Sequence, residues 1–258
     1  MCKFHSRQFK QTLNLQKRWC SLSGSYVLFV LIGLLYLERL SGQDSSFKAP
    51  SFDVVTQLEV NLNQGLKLPN QEERHALLKK LGVEFGQVDP TRGWALVDTE
   101  FRSVFDKETF LMALLNQWAR NKPEAALKAC SDLPEGEWRL LAYTAALIGW
   151  SKVDPKASSQ WVIVHLKTIY RRTAAGAVGR TWVAENPEEA ARWAAAWPNE
   201  LERIFILGEV LETWGLDYGP EAANWVAKMD PGKLRDLMMS KVMFRWGKTI
   251  QKLLLNGW

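Results

Sequence analysis

Apolar and polar positions alternate with helical spacing through most of the chain. One segment places Arg203, Leu207, Val210 and Trp214 at steps of 4, 3 and 4 residues, and the next repeats these steps from Arg235. Such steps put the residues on one face of an α-helix. The pattern therefore predicts amphipathic helices with an apolar stripe, and alternation typical of strands is scarce.

The same pattern returns at an interval of 32 residues. Tryptophans form two series with this spacing, Trp118, Trp150, Trp182, Trp214 and Trp246, and Trp161, Trp193 and Trp225. A third, which we call the arginine series, consists of Arg139, Arg171, Arg203 and Arg235. Periods of roughly 20 to 50 residues are typical of repeat architectures. Three series in one register predict a repeated structural unit.

Each unit has the signals of two helices. The pairs Asp154-Pro155 and Asn186-Pro187 supply an N-cap side chain followed by proline at the first helical position. Turn-forming segments such as 229–233 separate the first helix from the second. A hairpin of about 32 residues cannot bury its apolar face alone. We therefore expect an all-α fold, a right-handed α-solenoid of stacked hairpins with the repeat tryptophans packed at the junctions.

In length and layout these units resemble tetratricopeptide-like helical repeats. They are more closely similar to bacterial tandem repeats of the type W-x3-[DN]-P, often behind an N-terminal membrane segment. The units at Trp150 and Trp182 match this motif, whereas those at Trp118 and Trp214 depart from it. The resemblance covers about 85–258 and implies a helical-repeat scaffold without catalytic residues.

The N-terminal region differs from the rest in charge. Residues 1–43 contain six Lys or Arg and a single acid, Glu38, and they include the uncharged segment Ser21–Leu37. The remaining residues carry equal numbers of basic and acidic side chains, so they have no net field that attracts a polyphosphate. The net charge of +5 therefore belongs to the N-terminal region and does not indicate nucleic-acid binding.

This order of charge and hydropathy predicts a membrane-targeting segment. We expect a cytoplasmic basic tail at 1–20, an anchor or signal at 21–43, a linker with a short amphipathic segment at 44–70 and the repeats at 71–258. A retained anchor places a single-pass protein in the bacterial inner membrane, with the repeats outside the cytoplasm. Two alternatives stay open: secretion after signal cleavage, and a soluble protein with a buried apolar helix.

Catalytic chemistry finds no support in the sequence. His5, His75 and His165 are scattered, and His75 lies in a polar stretch that predicts a solvated side chain. No metal-binding, nucleophile-elbow or phosphate-loop motif occurs, and Cys130 is the lone cysteine of the repeats. We expect no enzyme activity, no cofactor and no metal, although an enzyme accessory or degenerate enzyme domain remains a third interpretation.

Binding is the better prediction. Equivalent arginines on stacked helices form a ladder that suits a protein or peptide partner, unless each pairs with an acid of its own or the adjacent hairpin. Outside the two tryptophan series, Trp94, Trp138 and Trp197 are candidates for exposure. A row of exposed indoles would instead favour glycan or cell-wall binding.

Overall fold

The computed structural model describes the backbone of residues 52–256, in which all regular structure is helical. The described residues form twelve α-helices: α1 (Phe52–Gly65), α2 (Gln71–Val88), α3 (Pro90–Thr99), α4 (Val104–Asn121), α5 (Pro123–Asp132), α6 (Glu137–Ser151), α7 (Pro155–His165), α8 (Thr168–Val183), α9 (Pro187–Ala195), α10 (Glu200–Asp217), α11 (Gly219–Ala227) and α12 (Lys233–Asn256). The prediction of an all-α fold is confirmed for this part of the chain.

From α2 onward, long even-numbered helices alternate with short odd-numbered ones. The predicted helix starts are confirmed at α7 and α9, where Asp154 accepts a hydrogen bond from the Ala157 amide and Asn186 accepts one from the Glu189 amide. Proline occupies the first turn of every short helix from α3 to α11, where its missing N–H is not needed. Local sequence therefore sets where each hairpin begins.

Packing follows the order of the chain. Each long helix contacts the long helix before it and the one after it, and each short helix packs on the two long helices that flank it. Gly149 of α6 lies against the carbonyl of Asn116 in α4, and Gly208 of α10 lies against Lys241 of α12. In each pair the two contacting residues lie at the same distance from the start of their helices, so the long helices run parallel. This organisation agrees with a helical repeat.

Members of the two tryptophan series meet where α8 joins α9 and where α10 joins α11. Trp182 and Trp193 have ring centroids 5.8 Å apart, and the equivalent Trp214 and Trp225 are 6.4 Å apart. Trp118, Trp182 and Trp214 are buried, whereas Trp150, Trp161, Trp193 and Trp225 are partly buried and pack on the same core. The last member, Trp246, lies on Gly219 so closely that no Cβ fits there. Large indoles thus fill the space between long and short helices.

The predicted membrane segment at 21–43 lies outside the described residues, as does the basic tail. Among residues 52–256, no helix is both long enough and apolar enough to cross a membrane. The short amphipathic segment expected in the linker at 44–70 is α1, which packs on α2.

Candidate protein-binding surface

Two members of the arginine series stabilise the turn that precedes their own helix. Nε of Arg139 donates to the Leu133 carbonyl at 2.6 Å, and Nη1 of Arg203 donates to the Trp197 carbonyl at 3.3 Å. Arg74, at the start of α2, makes the same contact with the carbonyl six residues before it. These guanidinium groups satisfy carbonyls that the turns leave without a backbone partner.

Arg171 joins one long helix to the next. Its Nε and Nη2 lie 3.1 and 2.9 Å from the two carboxylate oxygens of Glu202, which is only 4% exposed. Trp197 donates from its indole Nε1 to Glu202 Oε2 at 2.6 Å. Burial alone would raise the pKa of Glu202, but the hydrogen bonds from Arg171 and Trp197 outweigh it, and the pKa lies below its ordinary value.

The α2–α4 junction has the same plan with different partners. Asp106 occupies the third position of α4, as Glu202 does in α10, and accepts from Arg74 Nε at 3.0 Å. His75 Nε2 lies 3.0 Å from Asp106 Oδ1, and the His75 side chain is 29% exposed. The prediction that His75 is simply solvated is therefore wrong, because a buried carboxylate from the next long helix holds it.

The remaining member of the arginine series, Arg235, pairs with its neighbour Asp236 at 3.3 Å. All four arginines thus have partners within the protein. The alternative that each pairs with an acid agrees with Arg139, Arg171 and Arg235, whereas Arg203 binds a backbone carbonyl. The arginines lie near the N-terminal ends of four parallel long helices, so the structure does bring them to one end of the hairpins. Their contact with another protein stays a prediction.

The three tryptophans outside the two series do not form an exposed row. Trp197 is only 2% exposed, and its predicted exposure is wrong because Glu202 accepts its indole hydrogen in the buried cluster. Trp94 packs edge-on against Trp118 with centroids 6.4 Å apart. Trp138 is half-buried with the Lys107 ammonium 5.1 Å from its ring centroid.

A different set of apolar side chains is exposed at the starts of the long helices. Phe105, Ile169 and Leu201 are 67%, 74% and 75% exposed, and each is the second residue of its helix. Trp138 and Leu234 occupy the same position and are half-buried. We call these five residues the N-terminal row. Their spacing of 31 to 33 residues is a sequence signal for the row, which the Trp and Arg series do not contain.

A cavity of about 580 Å³ opens between the C-terminal ends of α8 and α10 and the starts of α9 and α11. Its lining includes Arg180, Thr213, Asp217, Tyr218 and Glu221, and the Thr213 hydroxyl donates to the Glu209 carbonyl at 2.7 Å rather than to a carboxylate that could act as a base. Within the described part of the chain, no three His, Cys, Asp or Glu side chains converge to hold a metal ion. The expectation that the protein is not an enzyme stays a prediction.

The resemblance to tetratricopeptide-like and W-x3-[DN]-P repeats also stays a prediction about family. The helical hairpins agree with it only at the level of a helical repeat. Comparisons with protein-family models, with curated proteins and with solved structures gave no match to this chain.

Proposed function

We propose that the protein is a non-enzymatic scaffold that binds a protein or peptide partner along its stacked hairpins. In this proposal the hairpins form a right-handed α-solenoid, and segment 21–43 anchors the chain in the bacterial inner membrane with the repeats outside the cytoplasm. Sequential packing of parallel long helices supports the solenoid. The cationic flank and the apolar run support the anchor.

The N-terminal row is the observation that carries the proposal. Exposed single apolar residues are common on protein surfaces, but here three large ones occupy equivalent positions of parallel helices. An apolar row with polar neighbours is typical of a protein-binding surface. Each member of the arginine series follows a member of the row by one or two residues on the same helix. A carboxylate of a partner bound to the row would therefore contact the exposed part of these guanidinium groups.

Glycan binding is less well supported as an alternative. It requires a row of accessible indole faces, and Trp197 is buried while Trp138 is covered by Lys107. Secretion after signal cleavage remains an alternative for the location of the repeats.

The test of the scaffold uses the full chain in its native membranes with a photo-crosslinking residue at Ile169. The matched control has it at Val153, which is 60% exposed and lies at the opposite end of the hairpins. We expect position 169 to cross-link to a partner protein, and the yield of the same product from position 153 to be about tenfold lower. With the photo-crosslinking residue kept at position 169, the double variant Phe105→Ser, Leu201→Ser should lose that product and keep its melting temperature.

A control pair, Val153→Ser and Tyr218→Ser, removes exposed apolar residues from the other end and should leave the product intact. Equal cross-linking from both positions contradicts a specific surface. The anchor is tested separately: the protein should resist extraction at alkaline pH, and protease added outside the inner membrane should cleave the repeats. Release by alkali, or protection of the repeats, contradicts that part of the proposal.

A further inference from the structure

The last long helix leaves one apolar face without a neighbour among the described residues. Helix α12 packs on α10 and α11, yet Leu237, Met243, Phe244, Ile250 and Leu254 remain 41%, 46%, 61%, 38% and 68% exposed. These side chains follow each other at helical spacing, and two small residues lie between them. We call the set the α12 outer face: Leu237, Ser240, Met243, Phe244, Gly247, Ile250 and Leu254.

The equivalent surface of α10 shows that this face is suited to packing against a helix. The residues of α10 that lie 32 positions before Ser240, Met243 and Gly247 are Gly208, Leu211 and Gly215. Helix α12 packs on that side of α10: a Cβ on Gly208 would lie 3.1 Å from Lys241, and one on Gly215 would lie 3.4 Å from Val242. A Cβ on Gly247 would meet no described atom within 4 Å. The α12 outer face is thus the open equivalent of a helix-packing surface.

The basic residues of α12 indicate that a helix packed on its outer face would carry acidic side chains. Helix α12 has a single acid, Asp236, and six basic residues: Lys233, Arg235, Lys241, Arg245, Lys248 and Lys252. Lys241 and Arg245 pair with Glu212 of α10, whereas Lys248 and Lys252 have no carboxylate within ion-pair distance among the described side chains. At the preceding junction Arg180 of α8 pairs with Glu209 of α10. Basic positions on these long helices are thus matched by glutamates on the adjacent one.

We propose that the α12 outer face docks an acidic amphipathic helix from a partner protein. In the structure the Lys248 ammonium lies 4.2 Å from the centroid of the Phe244 ring. Carboxylates of the partner helix would draw Lys248 away from this ring and pair with it and with Lys252, and apolar residues spaced by three or four would then cover Met243 and Phe244. The small residues Ser240 and Gly247 allow the close backbone approach that a helix requires. A second copy of α12 is disfavoured because its basic side chains would repel those of the first.

This inference rests on the proposed function in treating the repeats as a scaffold, but it uses a surface separate from the N-terminal row. Phe105 and Phe244 provide a matched pair, because both are exposed phenylalanines of long helices, at 67% and 61%. Substitution of one or the other by serine therefore separates the two surfaces.

The probe is a labelled synthetic peptide with the sequence of residues 199–218, which carries five carboxylates and one arginine and forms the acidic helix α10 in this protein. We expect fluorescence anisotropy to show that it binds the full chain in detergent, and more weakly as salt rises. Phe244→Ser should weaken binding about tenfold, whereas Phe105→Ser should leave it unchanged. An equal loss of peptide affinity in both variants, or no binding to the wild type, overturns the inference. Neither outcome would contradict partner binding at the N-terminal row.

A charge exchange provides the sharper test. The variant Lys248→Glu, Lys252→Glu should no longer bind the 199–218 peptide. It should instead bind a second peptide in which Glu209 and Glu212 are replaced by lysine. A photo-crosslinking residue at position 244 should label the peptide, which also distinguishes docking on the outer face from exchange with α10. Labelling of residues 1–51, of a second copy or of phosphatidylglycerol vesicles, in place of the peptide, would assign the face to that occupant and overturn the proposal.

Discussion

The α8–α10 junction and the α10–α12 junction each contain a paired glutamate, but they bury it to different extents. Between α8 and α10, Glu202 is 4% exposed and held by Arg171 and Trp197. Between α10 and α12, Glu212 receives Lys241 and Arg245, and all three side chains are more than a quarter exposed. Desolvation makes a lost partner costly in the first junction, and water compensates for it in the second.

Small residues show the same contrast. Val242 of α12 lies against Gly215 of α10, whereas a Cβ on the equivalent Gly247 of α12 would meet no described atom within 4 Å. The N-terminal end resembles the interior, because α1 buries Leu58 and Leu62 in packing on α2. The repeat therefore determines which positions are equivalent, and the presence of a neighbour determines how much each one matters for stability.

The largest difference should come from truncating the two glutamates. Glu202→Ala leaves the partly buried Arg171 without its carboxylate and the buried Trp197 indole without an acceptor. We expect it to lower the free energy of unfolding by about 3 kcal/mol. Glu212→Ala, the matched control, should cost roughly 0.5 kcal/mol. Urea denaturation measures both, and equal losses would contradict the contrast between the junctions.

Adding one methyl group at an interior glycine should have the next largest effect. In Gly149→Ala the new Cβ clashes with the backbone carbonyl of Asn116, so α4 and α6 must move apart. Such overpacking costs about 2 kcal/mol. Thermal unfolding followed by circular dichroism should show the drop, and an unchanged melting temperature would mean that the two helices are packed less closely than described.

Acid should weaken the α8–α10 junction selectively. Because the folded-state pKa of Glu202 lies below its ordinary value of 4.5, its contribution to stability is complete above that pH and is lost as the pH falls through the lowered pKa. Glu202→Gln removes this titration. The difference in unfolding free energy between wild type and Glu202→Gln should therefore shrink from about pH 6 to about pH 3.

That comparison is read from urea denaturation at the two pH values, with Glu212→Gln as the control. A difference that stays constant with pH would show that Glu202 titrates alike in the folded and unfolded states.

The smallest expected effect lies on the α12 outer face and has the opposite sign. Gly247→Ala places its Cβ where no described atom lies within 4 Å and replaces a poor helix former, so we expect a gain of up to about 1 kcal/mol. Chemical denaturation should show a higher free energy of unfolding for Gly247→Ala than for wild type, and a lower one for Gly149→Ala. A loss at Gly247 would indicate that a neighbour covers it in solution.

Much of the fold was predictable because its signals are local. Asp154 and Asn186 cap helices through contacts within three residues, so the hairpin starts follow from sequence alone. The spacing of Trp182 and Trp193 likewise places both rings at one junction. Family membership and the membrane segment at 21–43 stay predictions.

Exposure was harder to predict than helix position. Trp197 lies outside the two tryptophan series, which favoured an exposed ring, yet an acceptor five residues later buries it. His75 lies in a polar stretch, yet Asp106, 31 residues away, holds it. The His75 contact has no local signature, because it depends on which turn of the next long helix faces the side chain. The Trp197 contact spans only five residues, but it depends on how the turn before α10 folds back onto that helix.

Periodicity by itself determined that the chain forms hairpins, where their helices begin and which residues are equivalent, because capping and amphipathic spacing act over a few residues. Only the tertiary structure decided which equivalents are buried, which arginines bind a carboxylate, and that no described residue covers one apolar face of α12. Those properties depend on the atoms that a neighbouring helix supplies, and the same residue has a different free energy with and without that neighbour.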